Sequence, residues 1–198
     1  MGSDWIVLGA VILVSLTSIY VLIGRDWRYI IGALAVQYIG VFLLVYVSWP
    51  LEMAVAKMVA GWMAGAILGM AITSVPESWR DSEKSIKFGP IFRILAASIL
   101  LLTISSLVLH SESWLSMISI PIRWGSFVMM GLGLLQISLT THPLRVIIGL
   151  LTFLSGFEII YAAIEKSTLV TGLLAGVNLG LALVGAYILI APSMENNP

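Results

Sequence analysis

The sequence contains no cysteine, only two histidines, and just ten basic and ten acidic residues among 198. Without cysteine there is no disulfide, no thiolate metal site and no iron-sulfur cluster, and His110 and His142 stand a membrane span apart, which argues against a classical metal centre. Charged residues make up 10% of the chain, where a soluble domain carries about a quarter, and the two signs cancel, so nucleic acid is not an expected partner. No nucleotide loop, metalloprotease motif or nucleophile elbow is present. The chain is therefore expected to bring no cofactor and no catalysis of its own.

What fills the space is hydrocarbon. Sixty per cent of residues are hydrophobic and mean hydropathy is +1.06, values of an integral membrane protein. Apolar runs long enough to cross ~30 Å at ~1.5 Å per residue recur throughout, so helices and not a barrel satisfy the backbone. The expected fold is all-α, one polytopic domain over 1–198, with seven spans near 5–23, 28–49, 52–73, 91–110, 121–140, 144–164 and 168–191. Polar, Pro or Gly punctuation marks each boundary, as at Ser48-Trp49-Pro50 and Thr140-Thr141-His142-Pro143. The fifth start is the least defined, because Pro121 and Arg123 could belong to an interfacial stretch from Trp114. The first run follows Asp4 instead of a basic region and lacks a small-x-small cleavage site, which reads as a retained helix. Six of the seven tryptophans fall near span edges, as in an aromatic belt.

Basic residues near span ends stay on the cytoplasmic side. Arg25, Arg28, Arg80, Lys84, Lys87, Arg93 and Arg145 share one face, against Arg123 and Lys166 on the other, so the amino terminus is expected outside and the carboxyl terminus inside. The chain also repeats. Arg28-Tyr-Ile-Ile-Gly32 returns as Arg145-Val-Ile-Ile-Gly149, Tyr38 to Gly40 answers Ser155-Gly156, and Gly61 and Gly65 answer Gly176 and Gly180. Repeat one covers 5–73 and repeat two 121–191, with span 4 (91–110) as linker; an odd number of intervening spans makes the halves parallel, related by an axis along the membrane normal.

Glu158 is the one acid with a long apolar run on both sides, and an ionised group there costs a few kcal/mol unless it finds a partner, water or a proton. It lies ~10 Å from the outer end of its helix, and Lys57 lies at similar depth in span 3, so the two could meet. A carboxylate and an ammonium sharing a proton can form a relay; the plainer alternatives are an ion pair fixing helix register or a snorkelling lysine. Gln37, Gln136 and Asn178 are embedded amides, a type that usually bonds between helices. Asn178 stands out because Gly172, Ala175, Gly176 and Gly180 would let a helix approach and leave space for water. Gly61, Gly65 and Gly69 form a stripe expected to mark a tight helix contact, and the two histidines are expected to be solvated.

Leu154-Ser-Gly-Phe-Glu-Ile159 resembles the Gly-Leu-Glu motif in the second helix of the K subunit of bacterial complex I, and Gly180-Leu-Ala-Leu183 resembles the end of that subunit's third helix. The resemblance places the motif's proton-translocating glutamate on Glu158, whereas the family's second membrane glutamate falls on or beside Gly176 and is absent, leaving Asn178 as the nearby polar group. The whole chain looks closer to the E component of the membrane-bound hydrogenase-four complex, which joins two such three-helix units. The shared features are a basic residue opening span 2, Lys57 in span 3, and Glu83-Lys84 with Phe88-Gly89-Pro90 before span 4.

This resemblance implies a non-catalytic subunit of a complex-I-like or hydrogenase-like assembly, contributing to proton or sodium translocation beside larger antiporter-like subunits. Its place would be an energy-transducing membrane of plasma, inner or thylakoid type. The relay candidates are Glu158, Lys57 and Asn178. A structural or assembly subunit without an ion path, or an independent small-molecule transporter, are the alternatives; a transporter would need a cavity with several convergent polar groups.

Overall fold

The computed structural model describes the backbone of residues 2–76 and 89–195, with side chains over 5–76 and 89–191. Among these residues there are seven α-helices: α1 (Gly2–Ile23), α2 (Trp27–Tyr46), α3 (Leu51–Ser74), α4 (Pro90–His110), α5 (Ile120–Leu139), α6 (Pro143–Ile164) and α7 (Thr168–Glu195), with a 3-10 turn at Ser111–Ser113. There is no strand among the described residues, and each helix is long and apolar enough to cross a membrane. The protein is an all-α, seven-helix integral membrane protein.

Local chemistry sets the helix ends. Pro90, Pro121 and Pro143 lie in first turns, where the missing N–H is not needed. The second of these puts Pro121 and Arg123 inside α5. Asp26 caps α2 by accepting from the Arg28 amide at 3.0 Å. Two helix C-termini are closed by arginines reaching in from other helices. The Arg93 Nη1 donates to Leu22 O (2.7 Å) and the Arg145 Nη2 to Gly24 O (2.6 Å), so both guanidinium groups meet the negative end of α1. Arg123 does the same for α4, donating to Ser111 Oγ at 3.1 Å. These three arginines are buried. The basic loop residues Arg80, Lys84 and Lys87 lie outside the described residues, as do Glu83 and Phe88.

Helix packing pairs the two halves element by element. Helix α1 lies against α5, α2 against α6 and α3 along α7, while α4 sits outside on α1 and α5. The closest crossing is α5 on α6, where a Cβ on Gly133 would stand 2.7 Å from Gly149 O and one on Gly156 2.7 Å from Ser126 O. Lipid offers no hydrophobic gain for helix association, so close backbone approach supplies the dispersion contact that holds such a pair.

The α3 stripe is not the uniform tight contact expected. Gly61 is pressed against the Tyr38 ring, but a Cβ on Gly65 would meet nothing within 4 Å and one on Gly69 only Ile31 at 3.8 Å. Similarly, nothing lies within 4 Å of a Cβ at Gly172, Gly176 or Gly180. Four-residue spacing of glycines reveals a flat surface, not what covers it. Three apolar clusters fill the described bundle: Leu22, Ala97, Ile104, Val108, Val128 and Leu132 seat α4 on α1 and α5, and two larger ones lie toward opposite ends. One, with Val45, Trp49, Met53, Ile122 and Ile159, fills the end of the α2–α3 turn; the other, with Ile30, Leu68, Ile72, Leu144 and Ile148, fills the arginine-rich end.

Candidate functional site

Between those cores lies a polar layer. Lys57 from α3, Glu158 from α6 and Asn178 from α7 are 2%, 1% and 0% exposed. Lys57 Nζ forms an ion pair with Glu158 Oε2. Asn178 Nδ2 donates to Glu158 Oε1 at 2.9 Å and to Leu174 O of its own helix at 3.1 Å. Both oxygens of the carboxylate are thus engaged by groups on two other helices. The three residues singled out from the sequence meet at one point, and Lys57 does not snorkel.

Asn178 reaches that point from the side of α7 that faces the bundle. The expected approach of a helix over Gly172, Gly176 and Gly180 is not what positions it, since the glycine face is open among the described residues. Its carbonyl oxygen, Oδ1, is buried without a hydrogen-bond partner.

A fourth residue completes the layer. Tyr38 of α2 is 1% exposed, and its ring centroid lies 5.3 Å from Lys57 Nζ, within range of a cation–π contact. The ring rests on Gly61, one turn from Lys57 on the same face of α3, where a Cβ would overlap it. Its hydroxyl lies toward Ser155, the position that answers Tyr38 in the repeat, with buried Thr152 a turn further along α6. The Tyr38 hydroxyl interacts with the Ser155 side chain, whereas the Thr152 hydroxyl is buried with no hydrogen-bond partner within the protein. On the other side the site is closed: Trp49 Nε1 donates to Glu165 O at 2.8 Å, tying the α2–α3 turn to the α6–α7 turn, and Tyr161 meets Trp49 edge-on at 6.4 Å.

The remaining polar candidates stay apart. Gln37 Nε2 donates to Ser18 Oγ of α1 at 2.9 Å, and Gln136 Nε2 to Arg145 O of α6 at 2.9 Å, both joining helices as embedded amides do. His110 is exposed, with Nδ1 2.8 Å from Ser106 O. His142 is not the solvated loop residue expected: it is half-buried, and burial together with the Arg145 charge lowers its pKa below the ordinary 6.5. No group of His, Cys, Asp and Glu among the described residues could hold a metal ion.

Tyr38 was the residue missed by sequence reasoning, because aromatics at mid-helix read as ordinary packing. The signal available was its alignment with Ser155 across the repeat. Fold and site together define a polytopic α-helical membrane protein with a buried ion pair at its centre. No family model, curated protein or solved structure matches the chain.

Proposed function

We propose that the protein is a non-catalytic membrane subunit of a complex-I-like or membrane-bound-hydrogenase-like assembly, and that Lys57, Glu158 and Asn178 take part in its proton, or sodium, translocation. The observation that carries this reading is the ion pair itself, an ammonium and a carboxylate from different halves of the bundle, with an amide and an aromatic ring beside them. A charge pair in hydrocarbon is a costly way to fix packing. The ammonium and carboxylate together carry no net charge. Uptake of one further proton leaves Lys57 as ammonium and Glu158 as neutral acid, net +1, a state favoured when negative charge in an adjacent subunit comes near and disfavoured when it withdraws. Release of that proton restores the pair. Larger antiporter-like subunits are the natural source of the moving charge. The chain would sit in an energy-transducing membrane with the arginine-rich end cytoplasmic, its amino terminus outside and its carboxyl terminus inside.

Two variants test this reading against a packing role. Glu158→Gln alone strands a buried ammonium, which costs about 3–5 kcal/mol and is expected to impair assembly. Lys57→Met with Glu158→Gln removes both charges and should restore assembly. In proteoliposomes of the intact complex, ions moved per turnover should stay low in the double variant. Normal pumping with both charges gone would refute the relay and leave the pair as a packing device.

A further inference from the structure

The groove beside α3 suggests what the open part of its glycine stripe is for. A furrow of about 480 Å³ runs between α2 and α3, lined among others by Trp27, Ile31, Trp62, Gly65, Gly69 and Thr73. At one end the Trp62 indole crosses it, with Nε1 donating to Ala35 O of α2 at 3.0 Å. Toward the other end it reaches Thr73, at the last turn of α3. From Trp62 to Thr73 the helix rises ~16 Å, about half of ~30 Å of hydrocarbon. A transmembrane helix docking along the stripe would need the full length, and Trp62 blocks it. An object of one-leaflet depth, entering from the arginine-rich end, does fit.

Charge identifies the object further. Trp27, which lines the groove at that end, carries the Arg28 guanidinium 5.3 Å from its ring, and Arg28 and Arg25 are both exposed there. Asp26 between them is turned to the Arg28 amide as the cap of α2. We infer that the groove holds one acyl chain of an anionic phospholipid, with the lipid phosphate at Arg25 and Arg28 and the chain running past Gly69 and Gly65 to end against Trp62. This site is separate from the ion pair and stands whether or not Glu158 relays protons.

The test uses the full chain in vesicles whose phosphatidylglycerol or phosphatidylcholine carries brominated acyl chains, which quench indole fluorescence on contact. Each basic residue near a surface enriches anionic lipid roughly fivefold, so with two of them brominated phosphatidylglycerol should quench the Trp62 component (wild type minus Trp62→Phe) at a mole fraction at least roughly fivefold lower than brominated phosphatidylcholine. Arg28→Gln should cut that preference by roughly fivefold, and Arg25→Gln with Arg28→Gln should remove it. Because nothing occupies the space a side chain would take at Gly65, and only Ile31 touches it at Gly69, Gly65→Leu with Gly69→Leu should fill the groove and abolish the quenching while circular dichroism and elution stay unchanged. Equal quenching by the two lipids would mean an ordinary lipid annulus and overturn the proposal. So would undiminished quenching in the filled variant, or protection from both lipids with a particle of doubled mass, which would put a second copy there.

Discussion

At the scale of single residues, Gly61 has the most exacting position in the site. The Tyr38 ring occupies the place of its Cβ, and that ring in turn faces the Lys57 ammonium. Gly61→Ala must push Tyr38 aside, an overpacking cost of about 1–3 kcal/mol, and with it the cation–π face; thermal unfolding in detergent should shift down. Tyr38→Phe keeps the ring and deletes only the hydroxyl toward Ser155. It is expected to leave stability within about 1 kcal/mol, since all it gives up is one weak contact with the Ser155 side chain. If the two variants destabilise equally, the ring on glycine is not what holds the site. Glu158 and Lys57 were legible from depth alone, because helical rise converts sequence position into height in the membrane. Tyr38 was not, because height says nothing of which way a ring faces.

At the scale of helices, the sequence marks spans well and their contacts poorly. Hydrocarbon thickness fixes length, so the spans read from apolar runs match within a few residues; α2 stops at Tyr46, three residues short of the expected 49, because Val47 to Trp49 form the turn before Pro50. Glycine spacing pointed to α3 as the tight contact. In the folded chain Gly133 and Gly149 bring α5 and α6 together most closely, and they do not stand in a four-residue stripe. A contact between two helices is a property of both surfaces, and a single-helix pattern carries half of it. Gly133→Leu therefore should be more damaging than Gly65→Leu, although both add the same side chain. The first must displace backbone atoms of Gly149 and Phe153 and the second fills open space. Comparing their melting temperatures in one detergent checks this, and equal losses would contradict the packing described. The arginine caps were likewise hidden, since a basic residue at a helix start reads as a topology signal. Arg93 and Arg145 lie on the end the charge census assigns to the cytoplasm, yet both are buried against α1.

At the scale of the whole molecule, α1 meets α5, α2 meets α6 and α3 meets α7, and the orientation proposed from loop charge is open to a direct test. Ser82 lies in the mixed-charge segment between α3 and α4, outside the described residues. A Ser82→Cys variant, in a chain with no other cysteine, should react with a membrane-impermeant thiol reagent only after sealed cells are opened. Labelling of intact cells would invert the topology.

The ion pair has a consequence for how the chain is made. Lys57 belongs to the first half and Glu158 to the second, roughly a hundred residues later. At about 5–20 residues per second, a ribosome delivers the carboxylate ~5–20 s after the lysine has been handed to the membrane. During that interval Lys57 lacks the carboxylate it pairs with in the folded chain. The first three helices are thus incomplete on their own, and a nascent chain stalled before Glu158 holds an unpaired lysine at membrane depth, a costly state that the finished chain does not have.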